Sequence, residues 1–206
     1  MRVLYIDTSS SYLYSGIVED NNLLISVKEN LSLDLSELAL PKIAEMFEKI
    51  KIKPNDIDKI IVVNGPGSFT GIRVGLTIAK VYAWSLNIPI STISGLEAMV
   101  CSCNIKKVLV PAIDARRNYS YAAIYDNDTT ILEPKHISNN QLHNILKDYS
   151  DYIIISNDNI NLDGEKCAYD PDIVAIVKKY VEKENVNPHF VNPNYLKLTE
   201  AEESKM

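Results

Sequence analysis

One stretch of the sequence, residues 65–80, constrains the fold of this chain more than any other; it reads GPGSFTGIRVGLTIAK. The apolar run at residues 60–63 before it is typical of a short buried strand. A helix is predicted to begin near Thr70, with Thr70 or Ser68 as N-cap, and to continue to Leu86, because no proline interrupts it before Pro89. The stretch therefore predicts a strand, a tight loop and a helix in succession.

A glycine loop between a strand and a helix can bind phosphate, but this one lacks the residues required. In a phosphate-binding Walker loop, Lys and then Ser or Thr follow the second glycine, whereas Ile72 and Arg73 follow Gly71 here. The dinucleotide fingerprint needs its third glycine one position before Gly71, and Pro66 removes a backbone donor. The glycines instead predict a tight turn that passes close to another segment.

Four small residues recur every fourth position along the predicted helix: Gly71, Gly75, Ala79 and Ala83. They share one face, where another backbone can approach closely. Each glycine in a helix costs about 1 kcal/mol relative to alanine, so close packing is expected to compensate. The spacing leaves open whether the neighbour is the helix at residues 34–50 of the same lobe or another subunit.

The helix predicted at residues 34–50 has a wide apolar face. Its apolar residues at helical spacing are Leu35, Leu38, Ala39, Ile43, Met46, Phe47 and Ile50. If the helix begins only near Leu40, Pro41 falls in its first turn, where proline is tolerated. Further on, Ser94 and Glu97 are spaced as a capping box, which predicts another helix from Ser94.

The second half of the chain repeats the beginning of the first. A shift of 107 residues (114 − 7) places Asp7 on Asp114 and Tyr12 on Tyr119, and it aligns the apolar helix with residues 141–146. Repetition of strands and helix in one register favours an internal duplication. We therefore predict an α/β fold with a first lobe at 1–104, a shorter second lobe at 105–188, and a final segment at 189–206. That segment is expected to pack back on the body and to fray from Thr199.

Residues 65–80, together with residues 5–9, 112–117 and 193–197, resemble the TsaB (YeaZ) family from end to end. Lys197 stands where that family has arginine. The duplicated lobes are similar to the actin, hexokinase and Hsp70 superfamily (the ASKHA, RNase H-like fold). The resemblance implies a non-catalytic scaffolding subunit that forms a heterodimer with TsaD and supports synthesis of threonylcarbamoyladenosine at adenosine 37 of tRNA.

The resemblance also implies a four-helix bundle, made by the two helices with their counterparts on TsaD, or on a second copy when TsaD is absent. The expected interface residues are Leu35, Leu38, Ala39, Ile43, Met46, Gly71, Gly75, Ala79 and Ala83. A third partner implied by the resemblance is the ATPase TsaE, whose docking surface the sequence does not indicate. The net charge of −6 predicts that tRNA is bound mainly through a partner, since phosphate binding favours a basic surface.

Two aspartates are the only cofactor-binding candidates. In a phosphotransferase of the superfamily, Asp7 and Asp114 would hold magnesium and phosphate. Residues 156–160 lack the glycine pair of an adenine clamp, so we favour a structural role for both aspartates at turns. The metal-binding histidines of TsaD align with Gly95 and Met99. We therefore expect no catalytic residue, metal or cofactor; the alternatives are a small ATP-dependent phosphotransferase and a metal-dependent peptidase.

Composition is consistent with a cytoplasmic protein that does not contact membranes. Cys101, Cys103 and Cys167 are odd in number and lack the partners of a zinc site, so reduced thiols are expected. The apolar run after Met1 is too short for a signal peptide and is broken by Asp7. No stretch is long and apolar enough to predict a membrane span.

Overall fold

The computed structural model describes residues 1–127 and 129–197 and divides the chain into two units. The fraying predicted from Thr199 falls outside the described residues. The first unit comprises residues 1–102 and 171–194, and the second comprises residues 103–170 and the segment from residue 195. The strands are β1 Arg2–Asp7, β2 Tyr12–Glu19, β3 Asn22–Asn30, β4 Lys59–Val63, β5 Ile90–Ile93, β6 Val108–Asp114, β7 Tyr119–Asp126, β8 Thr129–Ser138, β9 Tyr152–Ile155 and β10 Glu165–Cys167. The helices are α1 Leu35–Ile50, α2 Phe69–Leu86, α3 Gly95–Cys101, α4 Asn139–Leu146 and α5 Ile173–Tyr180.

The first unit contains a five-stranded sheet in the order β3-β2-β1-β4-β5. β1, β2 and β3 form an antiparallel meander, and β4 and β5 continue the sheet parallel to β1. β1 and β4 are buried along nearly their whole length. Their continuous apolar sequences are what central strands covered on both faces require.

The second unit repeats this arrangement, with the strand order β8-β7-β6-β9-β10. β6 pairs antiparallel with β7 and parallel with β9, as β1 does with β2 and β4. The register shift between Ile17 and Val18 recurs between Ile124 and Tyr125, which is the same separation of 107 residues (124 − 17). The predicted duplicated α/β fold is confirmed. The second copy is shorter because the eight-residue α4 is its one α-helix among the described residues.

α1 and α2 contribute, with the sheet, to the core of the first unit. α1 begins at Leu35, so Pro41 lies inside the helix and not in its first turn, contrary to the expectation for a later start. Pro41 is tolerated because both it and Glu37, whose carbonyl loses its intrahelical donor, are exposed to water. α2 begins at Phe69, and the side chain of Ser68 accepts from the Gly71 N–H, so Ser68 is the N-cap.

Residues 171–194 return to the first unit, whereas the sequence assigned α5 to the second lobe. The side chain of Ile173 packs against Gly16 of β2. Beyond the end of α5, the ammonium of Lys59 donates to the carbonyls of Val181 (2.7 Å) and Lys183 (2.6 Å). These contacts join residues more than a hundred positions apart, and they supply a donor to the carbonyl of Val181, the C-cap of α5.

We predict that Lys59→Met destabilises the protein. Lys59 is buried, and the substitution retains an apolar stem but removes both hydrogen bonds from a charged donor. The free energy of unfolding in urea should fall by about 2–3 kcal/mol. Lys178→Met, at an exposed position of α5, is the control and should have little effect. Equal stability of the two variants would show that water replaces the Lys59 ammonium.

Candidate functional site

The turn that follows β1 packs directly on the glycine-rich loop between β4 and α2. The Ser68 N–H donates to the Ser9 carbonyl (2.7 Å), and the Thr8 hydroxyl donates to the Gly71 carbonyl (2.7 Å). A Cβ on Gly67 would overlap the Ser9 carbonyl oxygen, and one on Gly71 would overlap the Thr8 carbonyl oxygen. The glycines are therefore required by the close approach of two backbones, as the sequence predicted.

This packing uses backbone donors that a phosphate-binding loop would present to its ligand. The Ser68 N–H is bonded to Ser9, the Gly71 N–H is bonded to the Ser68 side chain, and Pro66 has no N–H. Phosphate loops depend on N–H groups directed at the ligand. The arrangement thus favours a structural loop over a nucleotide cradle.

Both candidate aspartates accept hydrogen bonds at turns, as the structural role favoured from the sequence requires. Asp7 is buried, and its Oδ1 accepts from the backbone N–H (2.8 Å) and the hydroxyl (2.7 Å) of Ser9. Asp114 is exposed, and its Oδ1 accepts from the Arg116 N–H (3.0 Å). Burial raises the pKa of the Asp7 carboxyl above its ordinary value, although the hydrogen bonds from Ser9 oppose that shift.

The metal-binding pattern of TsaD is not reproduced. Gly95 and Met99 lie one turn apart on α3, both are buried, and neither offers an oxygen or nitrogen ligand to a hard metal ion. Across residues 1–127 and 129–197, histidine, cysteine and carboxylate side chains form no group of three that could hold a metal. In the same residues, no helix combines the length and apolar character needed to cross a bilayer.

Eight of the nine residues predicted at the partner interface are buried in the first unit, and only Leu38 is exposed. The small-residue face of α2 packs inward: Gly71 and Gly75 contact Thr8, and Ala79 and Ala83 belong to the core. The assignment of these eight residues to an interface is therefore corrected. Helical spacing identified the face correctly, but the chain itself covers that face.

Next to their buried faces, the same two helices line a groove of about 420 Å³, whose lining includes both exposed side chains and the buried Ile78. Its lining residues are Ser36, Leu40, Phe69, Thr70, Arg73, Val74, Thr77 and Ile78. Phe69 is 54% exposed, and the Arg73 guanidinium stacks on its ring at 3.7 Å. We call these residues the α1–α2 groove. The sequence did not identify these residues as a site, because apolar and polar side chains alternate less regularly here than on the buried face. The available signal was that Phe69, Arg73 and Thr77 recur every fourth residue and so share one face of the helix.

Comparison with known proteins gives a consistent result. The family model described as "TsaD: tRNA N6-adenosine threonylcarbamoyltransferase" matches residues 27–152, more than half of the chain. The chain is 29% identical to the tRNA threonylcarbamoyladenosine biosynthesis protein TsaB of Bacillus subtilis over 98% of its own length and 96% of that protein. It is 32% identical to TsaB of Buchnera aphidicola, covering 63% of each.

A solved structure shows the same fold. YeaZ from Pseudomonas aeruginosa superimposes with a TM-score of 0.74 at 17% sequence identity, covering 95% of this chain and 99% of that one. At this level of identity the similarity concerns the fold alone. It agrees with the two sheets of matching strand order described above.

We predict that Gly71→Ala destabilises the isolated chain. Alanine favours a helix by about 1 kcal/mol over glycine, but its Cβ would overlap the backbone oxygen of Thr8. Overpacking of this kind lowers the free energy of unfolding by roughly 1–3 kcal/mol. Thr77→Ala, on the exposed face of the same helix, is the matched control and should not be destabilised. A fully stable Gly71→Ala variant would contradict the packing described here.

We also predict that Asp7→Asn changes the pH dependence of stability. Because burial raises the folded-state pKa of Asp7, the native protein retains this proton at pH values where the unfolded chain has lost it. Wild-type stability relative to Asp7→Asn should therefore fall as pH rises from about 4 through the folded-state pKa, and then level off. Urea denaturation of both proteins between about pH 4 and pH 8 measures this difference. A difference that stays constant, or reverses, would contradict the direction of the shift.

Proposed function

Because the chain belongs to the TsaD (tRNA N6-adenosine threonylcarbamoyltransferase) family, and resembles its TsaB (YeaZ) relatives over nearly its whole length, we propose that it is a non-catalytic subunit of the tRNA threonylcarbamoyladenosine machinery. It pairs with TsaD, and transfer of the threonylcarbamoyl group to tRNA takes place on that partner. Since the substrate is tRNA, we propose that it acts in the cytoplasm.

The α1–α2 groove carries this proposal. It combines exposed apolar side chains, Leu40 and Phe69, with an arginine stacked on an aromatic ring. Aromatic residues and arginine are enriched at protein interfaces and often contribute most of their binding energy. The groove therefore suits a helical partner surface better than it suits a small polar substrate.

The family match supports TsaD as the occupant. The matched residues 27–152 include both α1 and α2, so a TsaD protein is expected to carry an equivalent pair of helices. Two equivalent helix pairs can associate about an approximate two-fold axis, each contributing the same face. The same reasoning allows a homodimer through this groove when TsaD is absent. TsaE is a further proposed partner.

The absence of catalysis in the isolated chain is supported by the way its polar groups are used. Asp7 and Asp114 accept hydrogen bonds at their own turns, and the glycine-rich loop binds the turn after β1. A general base or metal ligand must instead be available to the substrate or ion. Neither the phosphotransferase nor the peptidase alternative is favoured by a specific observation in the described residues.

We predict that Phe69→Asp weakens binding to TsaD without unfolding the chain. An aspartate at this position removes the aromatic anchor and the ring on which Arg73 stacks, and it places a charge where the interface has an apolar surface. The dissociation constant, measured by calorimetry or surface plasmon resonance, should increase at least about tenfold. The melting temperature of the isolated variant should remain close to that of the wild type, because Phe69 is exposed.

Ile105→Asp is the matched control, since it places the same charge at an exposed apolar position outside the groove. It should retain wild-type affinity for TsaD. Modification of tRNA by TsaD in the presence of each variant should follow the order of the binding affinities. Wild-type binding by Phe69→Asp would rule out the groove as the interface, and full TsaD activity without this chain would rule out the proposed function.

A further inference from the structure

The hairpin between β6 and β7 has an unusual backbone. Arg116, Arg117 and Asn118 all have positive φ values, of 65°, 52° and 62°. Three consecutive residues other than glycine in this region are disfavoured and need support from their surroundings. The support comes from the Asp114 carboxylate, which accepts from the Arg116 N–H, and from the hydrogen bond of the Tyr119 N–H to the Arg116 carbonyl (3.0 Å).

Both arginine side chains in this hairpin are exposed and unneutralised. Within residues 1–127 and 129–197, neither the Arg116 nor the Arg117 guanidinium forms an ion pair or a hydrogen bond. Two carboxylates of this region accept backbone hydrogen bonds: Asp114 accepts from the Arg116 N–H, and Asp158 accepts from the Asp114 N–H (2.8 Å). The hairpin thus presents two cations on a chain whose net charge is −6.

An aromatic stack adjoins the two arginines. The ring of Tyr119, which is 40% exposed, stacks on the imidazole of His136 with centroids 4.7 Å apart and an interplanar angle of 10°. The ring of Tyr121 is tilted against the same imidazole, with centroids 5.5 Å apart. One exposed aromatic ring therefore lies three residues from Arg116 and stacks on His136.

The internal repeat shows that the fold does not require these arginines. Under the 107-residue shift, Arg116 and Arg117 align with Ser9 and Ser10, while Tyr119 aligns with Tyr12. The first unit keeps a stacked aromatic pair at that place, Tyr12 on Tyr14, but its hairpin has no cation and no positive φ at the serines. The arginine pair is a feature of the second unit alone.

We propose that Arg116, Arg117 and Tyr119 bind a single-stranded segment of RNA, with the two guanidinium groups on its phosphates and one base stacked on Tyr119. Arginine suits phosphate because its donors form a planar fork. Exposed aromatic rings next to cations are the usual means of binding unpaired bases without reading their sequence. An acidic protein segment would use the same two cations, and the measurements below separate that partner from RNA.

The proposal rests on the proposed function, which supplies tRNA as the substrate of the complex. It also refines the expectation that RNA is bound mainly through the partner. With a net charge of −6, this chain cannot provide most of the affinity. The hairpin instead adds a few contacts that orient a loop of the tRNA presented by TsaD.

The test measures binding of an unmodified tRNA transcript to the complex of the full chain with TsaD, by fluorescence anisotropy at several salt concentrations. Arg116→Ala/Arg117→Ala should weaken binding about tenfold near 0.1 M salt and reduce the slope of log affinity against log salt by about 1.4. Tyr119→Ala should weaken binding by a similar factor, about tenfold, without changing that slope. Lys106→Ala/Lys178→Ala removes the same charge from exposed positions and is the matched control.

Two further measurements keep the outcomes distinct. Arg116→Gly/Arg117→Gly removes the same side chains and suits the positive φ values, so it replaces the alanine variant if that variant is unstable. Affinity for TsaD alone is measured for every variant and should be unchanged. Loss of TsaD affinity would identify the hairpin as a protein-binding surface and overturn the RNA proposal without affecting the proposed function. Wild-type tRNA affinity and salt slope in the arginine variants, or no tRNA binding by the wild-type complex, would also overturn it.

Discussion

The contact between the turn after β1 and the glycine-rich loop is the interaction on which the first unit depends. It joins the central strand β1 to the start of α2, and it requires positions without a Cβ at Gly67 and Gly71. Because this contact draws the small-residue face of α2 inward, the opposite face of that helix is left exposed beside α1. Packing inside the unit therefore determines which surface is available to a partner.

The sequence predicts the fold well, because the duplicated strands keep one register and the helix caps are local signals. Ser68 caps α2, and the capping box of Ser94 and Glu97 is present as expected. The interface residues could not be predicted in the same way, since helical spacing shows which residues share a face but not what covers it. The assignment of α5 to the second lobe was wrong for a related reason. The segment that contains α5 contacts Lys59 in the first unit, and such a contact between residues distant in sequence leaves no local signal.

The two copies of the repeat differ in how they use the turn at the end of their first strand. In the first unit, Asp7 and the residues after it are buried against the glycine-rich loop. In the second unit, Asp114 is exposed and the hairpin after it displays two arginines. The same aspartate turn thus serves as an internal packing element in one copy and supports a surface hairpin in the other.

The path of the chain makes most of the second unit, residues 103–170, an insertion within the first. The backbone N–H of Asp172 donates to the hydroxyl of Ser102 (3.0 Å), so the points at which the chain departs and returns are neighbours. A fragment cut at residue 102 would leave the Lys59 ammonium without its acceptor carbonyls. Linking residue 102 to residue 172 through a short turn would instead excise the inserted unit and retain that contact, which offers a direct way to produce the helix-bearing body by itself.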